Sequence, residues 1–155
     1  MAENSSESPP DGASVVLYQG NQVLLYKRDG HPKLFPNRWA ILGGGIEAGE
    51  SPEETVCREL QVEVGYRLAP GDLAPLGRCQ VLDSAYRYLV HYFRAELKQD
   101  YWDLLLNLGN VVGLEREGEG IALFSHDEVD FLHLTCPDRL ALERHFRGRD
   151  FGFID

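Results

Sequence analysis

"GGIEAGESPEETVCRELQVEVGY", residues 44–66, holds a helix whose two ends are written into it. Ser51, Pro52 and Glu54 form a strong start: serine caps, proline suits the first helical position, and Glu54 completes a capping box. Gly65 supplies the C-terminal stop. At about 100° per residue, Val56, Cys57, Leu60 and Val64 share one apolar arc that should face a core. Glu59 and Glu63 lie four apart, so their carboxylates stack on a neighbouring face. Like charges at that spacing repel by about 0.2–0.5 kcal/mol, a cost with no structural return. A hard divalent cation converts the repulsion into binding. Val62 falls roughly opposite the apolar arc, where core packing does not account for it. Ahead of the helix, Gly43, Gly44 and Gly45 permit positive φ and a close approach of backbone to a ligand, and read as a turn that presents carbonyls and nearby carboxylates to a cation. The plainer alternative is a tight connection.

Working outward, residues 1–12 are polar and rich in Pro, Ser and Glu, which predicts a disordered tail before a single domain over 13–155. "ASVVLY" (13–18) and "QVLLYKR" (22–28) flank "QGN" as a hairpin. "DGHPKLFPNR" (29–38) is a punctuated loop, and "WAIL" (39–42) a short strand running into the glycines. Beyond the helix, "PLGRCQVL" (75–82), "YRYLVHYFRAEL" (86–97) and "GIALF" (120–124) read as strands, the second with one more polar face. Residues 98–119 read as irregular or weakly helical, and "PDRLALERHF" (137–146) as a closing helix. The pattern is α+β, a mixed sheet between helices.

Composition narrows the function. The charge is −10, from 25 acids against 15 Lys plus Arg, which argues against a polyanion-wrapping, nucleic-acid-binding role. It leaves room for a small phosphorylated ligand whose charge a metal screens. No apolar run approaches the roughly 20 residues that cross a bilayer, so no membrane partner is expected. The start lacks an apolar stretch, which gives the expectation of no secretory leader. Three cysteines, Cys57, Cys79 and Cys136, are odd in number and widely spaced, which favours a reducing cytoplasm over a disulfide framework.

Together, Gly44, Glu50, Arg58, Glu59, Leu60, Glu63, Gly65 and Tyr66 resemble the signature of the Nudix hydrolases, G-x5-E-x7-R-E-U-x-E-E-x-G-U with U bulky and apolar. The one departure is Val62, where the family carries a glutamate. "WAILGG" (39–44) is similar to the family's W-x-x-P-G-G, with Leu42 replacing proline. The resemblance covers residues 13–146. It implies the Nudix fold, an α/β/α sandwich with a central mixed β-sheet. It also implies metal-dependent cleavage of a nucleoside diphosphate linked to another moiety, with Mg²⁺ or Mn²⁺ as cofactor. Carried over by position, Glu59 and Glu63 are metal ligands and catalytic residues, joined by the Gly43 carbonyl and Glu50. Arg58 orients this set. Glu117 or Glu119 is the late acid, as metal ligand or general base. Arg28 and Arg38, with Lys27 beside them, meet phosphate charge near Gly44. A nucleoside triphosphate or nucleotide-sugar substrate is favoured, because "LFPNRW" (34–39) resembles the segment before the motif in triphosphate sanitisers. A homodimer is compatible with the chain.

Each assignment has a plainer counterpart. For Glu50 it is complementation of the helix dipole, and for Arg58 pairing with a neighbouring acid. Lys27 and Arg28 read more simply as solvated strand-end residues, Trp39 as core, His91 as an ordinary strand residue and His126 as a turn or cap neighbour. The valine at position 62 allows a second function: a catalytically weakened domain that senses nucleotides or binds a protein.

Overall fold

The computed structural model describes residues 10–27, 38–83, 86–101, 103, 121–148 and 153–154. Apolar residues on both faces of the first strand make it the centre of the sheet. β1 (Gly12–Gln19) turns through Gly20 and Asn21 into β2 (Gln22–Lys27). Gly20 sits at φ 57°, a left-handed conformation that a two-residue hairpin needs and glycine adopts freely. Then follow β3 (Trp39–Ala40), β4 (Leu42–Gly45), α1 (Pro52–Val64) and a 3-10 turn at Pro70–Asp72. The chain continues through β5 (Ala74–Asp83), β6 (Tyr86–Glu96), β7 (Ile121–Ser125), α2 (His126–Val129), α3 (Cys136–Arg147) and β8 (Phe153–Ile154).

The strands run β3-β2-β1-β6-β5-β8, with β4 also paired to β1 and β7 to β2. β1 runs parallel to β6, from Gly12 opposite Val90 to Tyr18 opposite Glu96, and antiparallel to β2 and β4. The sheet is therefore mixed. Alternate residues of β1 serve two cores. Ala13, Val15 and Leu17 meet Val56 and Leu60 of α1 on one face. Val16 meets Ala141 and Leu142 of α3 on the other. Two helices on opposite faces of one mixed sheet give the expected α/β/α sandwich. Val56 and Leu60 are both fully buried, each contributing about 1.5–3 kcal/mol toward holding α1 on the sheet.

Three readings of the sequence change. The triple glycine is a strand, not a turn: Gly43, Gly44 and Gly45 lie in β4 opposite Ser14, Ala13 and Gly12. The left-handed glycine in this region is Gly49, at φ 83°. The ordered chain extends into the expected tail, since Gly12 belongs to β1 and Asp11 is anchored twice, by Leu89 N–H to its carboxylate (2.9 Å) and by Ile46 N–H to its carbonyl (2.8 Å). In the second half of β6 both faces also carry core residues, Tyr92 entering one core while Phe93 and Ala95 enter the other. A strand flanked on both faces by helices loses the simple alternation that a solvated sheet shows. The closing helix starts one residue earlier than expected, at Cys136, with Thr135 as its cap. Most of 98–119 lies outside the described residues.

A buried polar tie joins α3 to the sheet. Tyr92 Oη donates to Asp138 Oδ1 at 2.7 Å, and Ile41 N–H donates to Oδ2 at 3.1 Å. Tyr92 is held well above the usual phenol range, first by burial and then by the Asp138 charge. Ile41 leads directly into β4, so this carboxylate fixes the approach to the glycines. Asp138→Ala removes the acceptor of both hydrogen bonds and is expected to cost about 3 kcal/mol, with Tyr92→Phe costing about 1 kcal/mol, in chemical denaturation.

Candidate functional site

Helix α1 begins as its sequence dictates. Ser51 Oγ accepts from Glu54 N–H (3.1 Å), and the Glu54 carboxylate accepts from Ser51 N–H (2.8 Å). Gly65 ends it at φ 71°. Tyr66 then lies against Tyr101, ring centroids 4.2 Å apart, and the Tyr101 hydroxyl donates to the Val64 carbonyl. Burial, and then Tyr66, push the Tyr101 phenol up to about 12. Both ends of the helix are thus fastened by side chains.

Between them, Arg58 gathers the acids. Its Nε donates to Glu50 Oε2 (2.7 Å), its Nη2 to Glu50 Oε1 (3.1 Å), and its Nη1 to Glu59 Oε1 (2.7 Å). Nη2 also reaches the Gly45 carbonyl at 3.2 Å, and Nη1 lies 3.8 Å from Glu47. The fork geometry of guanidinium suits such a bridge in a way that lysine cannot reproduce. Glu50 Oε1 further accepts from Glu47 N–H (3.0 Å) and Thr55 Oγ1 (2.7 Å). These donors, Arg58 foremost, hold the Glu50 carboxyl at about 2. The same contacts raise Arg58.

The glycines explain why Glu59 can sit where it does. A Cβ on Gly44 would lie 2.6 Å from Glu59 Cδ, so the carboxylate occupies space that only glycine leaves open. A Cβ on Gly43 would lie 2.6 Å from Ser14 Cα, against backbone of the neighbouring strand. Gly44 therefore makes room for a carboxylate, while Gly43 makes room for β1. Glu63 follows Glu59 by one turn on the exposed face of α1, beside Val62, which is 75% exposed. A carboxylate pressed on a strand, a second one turn later, and adjacent strand carbonyls make an all-oxygen donor set suited to a hard divalent ion.

Of the other expected site residues, Arg38 is half-buried just before β3. Arg28, Glu117 and Glu119 lie outside the described residues. Lys27 ends β2 opposite Trp39, and Trp39 is core, edge-on to Phe124 with centroids 4.8 Å apart. Leu42, in the place of the family's proline, is fully buried and pairs with Val15. Sequence reading missed Thr55, Glu47 and the Gly45 carbonyl. Thr55 carried a signal: it is a hydroxyl beside the apolar arc, and it is fully buried. The other two contribute contacts that only the folded loop creates.

A family model for the NUDIX domain matches residues 8–145. The chain belongs to the Nudix hydrolase family. Among curated relatives, the nucleoside triphosphatase NudI of Salmonella agona (strain SL483) is 42% identical over 60 residues, 39% of this chain and 43% of that protein. The alignment thus spans less than half the length of that relative. Among solved structures, a MutT/Nudix family protein from Listeria innocua aligns with a TM-score of 0.67 at 25% identity, covering 90% of this chain and 94% of that one. The MutT Nudix hydrolase from Burkholderia pseudomallei aligns with a TM-score of 0.66 at 24% identity, covering 88% and 98%. The latter likeness establishes the fold.

Within this Nudix site the two glycines are separable. Gly44→Ala displaces only the end of a flexible side chain, so its melting temperature is expected to stay within a few degrees while Mn²⁺ affinity falls about tenfold. Gly43→Ala meets backbone and is expected to lower the melting temperature whether or not metal is present. Calorimetric titration and thermal melts check both. Acid supplies a second test. Glu50 is depressed in the fold, so its contribution is complete above its ordinary value of 4.5 and is lost as pH falls toward about 2. Carbon-13 NMR titration of Arg58→Met is expected to return the Glu50 midpoint toward 4.5 and to remove that part of the acid-limb stability.

Proposed function

We propose that this chain is a divalent-metal-dependent pyrophosphohydrolase acting on a nucleoside diphosphate linked to another group, with a nucleoside triphosphate favoured over a nucleotide sugar. The observation that carries this reading is the Arg58 bridge, which holds Glu59 on Gly44 one turn from Glu63. Family membership supports the reaction class, and the NudI likeness supports the triphosphate over its partial span.

Glu59 and Glu63 would hold Mg²⁺ or Mn²⁺, with the Gly43 carbonyl as a further oxygen. Once bound, the ion would neutralise phosphate oxygens and lower the pKa of water. Glu50 fits a positioning role best, because both its oxygens already accept hydrogen bonds and ligation requires displacing some of these donors. Arg58 restrains Glu59 through a single oxygen, Oε1. Arg28 and Arg38 would meet the remaining phosphate charge, and Glu117 or Glu119 would accept the proton of the attacking water.

The exposed apolar Val62 favours a second reading, a weakened Nudix domain that binds nucleotide without efficient turnover. A pyrophosphate-release assay over nucleoside triphosphates and nucleotide sugars, with Mg²⁺ and Mn²⁺, separates the two. Glu59→Gln and Glu63→Gln are each expected to reduce kcat/KM about 100-fold, on the order of 3 kcal/mol of lost stabilisation. Val62→Glu is expected to tighten Mg²⁺ about fivefold by adding a carboxylate. Saturable nucleotide binding with no turnover in wild type or Val62→Glu would select the sensor. Turnover untouched in both glutamine variants would reject the proposed catalytic site.

A further inference from the structure

On the α3 side of the sheet, a second group of ligating side chains stands apart from α1. His126 opens α2, Asp130 follows its last turn, and Glu143 projects from α3. One donor atom from each lies within 4.8 Å of the other two. His126 Nε2 is 3.2 Å from Glu143 Oε1. Two ligands bound at about 2.0 Å with a tetrahedral angle lie roughly 3.3 Å apart, so this pair already spans one edge of a zinc tetrahedron. The ring stacks on Phe146 at 4.6 Å with an interplanar angle of 19°, and its Nε2 faces Glu143 Oε1.

The charges favour a cation as well. Arg147 approaches the far oxygen of Glu143, Nε to Oε2 at 3.5 Å, and leaves Oε1 on the histidine side. Two carboxylates against one guanidinium retain a net negative charge, which Asp127 and Glu128 reinforce on α2. Asp130 is exposed, so it can close the last part of the gap by a rotamer change without disturbing the core. One imidazole and two carboxylates select a borderline transition ion over Mg²⁺, which prefers oxygen alone.

We propose that His126, Asp130 and Glu143 form a zinc-binding site, distinct from the Glu59–Glu63 pair, that ties α2 to α3 and leaves a fourth position to water. Binding requires a lone pair on His126 Nε2, so the proton rests on Nδ1 or is released to solvent. The site opposes separation of two elements joined by a short irregular segment, and zinc is therefore expected to raise the melting temperature.

The test is Zn²⁺ titration of the whole chain, read by calorimetry and by the visible absorption of substituted Co²⁺. Glu59→Gln/Glu63→Gln is expected to retain one Zn²⁺ and a four-coordinate Co²⁺ spectrum. Adding His126→Gln or Glu143→Gln is expected to weaken that binding at least tenfold and abolish the spectrum. The same comparison in the wild-type background, with circular dichroism matched, removes dependence on how the double variant folds. Equal Zn²⁺ affinity with and without His126→Gln would overturn the proposal, as would absence of Zn²⁺ binding in a folded Glu59→Gln/Glu63→Gln protein. Neither result bears on whether the Nudix site hydrolyses nucleotides.

Discussion

One guanidinium holds two acids of the candidate site, Glu50 and Glu59, in place. Arg58 places two donors on Glu50 and a third on Glu59, and a fourth contact runs to the Gly45 carbonyl. It therefore joins the loop before the helix, the helix itself and a strand of the central sheet. Remove it and Glu50 retains its loop and Thr55 donors, but Glu59 loses the contact that holds it against the sheet. The interaction is half-sheltered from water, a setting in which hydrogen-bonded charges fix geometry more than they add stability.

That bridge would achieve nothing without matching space on the strand. β4 must approach β1 on one side and admit a carboxylate on the other, and glycine satisfies both demands at successive positions. The backbone of β4 is in turn aimed by Ile41, which the Asp138 carboxylate holds from the opposite layer. A continuous chain of contacts therefore runs from α3 through the sheet to the acids on α1. The fold does more than support the site: its three layers set the distance between a helix carboxylate and a strand carbonyl.

The local grammar of α1 was legible because its signals are local. Serine cap, proline, reciprocal glutamate and terminal glycine each act within a turn, and all four do so in the structure. The exposed face carrying Val62 followed from helical period alone. The triple glycine misled for a physical reason: glycine marks either positive φ or close approach, and only the neighbours on β1 and α1 reveal which. Similarly, nothing within the closing helix singles out Asp138 until Tyr92, 46 residues earlier, is placed opposite it. That Tyr92 and Phe93 of β6 enter opposite cores was not legible, because burial by helices on both sides is a property of the assembled layers. Residues whose role depends on one turn could be read, and those whose role depends on another strand could not.

The central claim is that Arg58 and Gly44 prepare Glu59, with Glu63, to receive a divalent ion. Paramagnetic broadening of backbone amide resonances by substoichiometric Mn²⁺ tests it without reliance on turnover. The account predicts early loss of the Gly44, Glu59 and Glu63 signals in wild type, and their persistence when Arg58 is replaced by methionine. Sharp resonances at those three positions in the wild-type protein, at Mn²⁺ concentrations that broaden signals elsewhere, would contradict it.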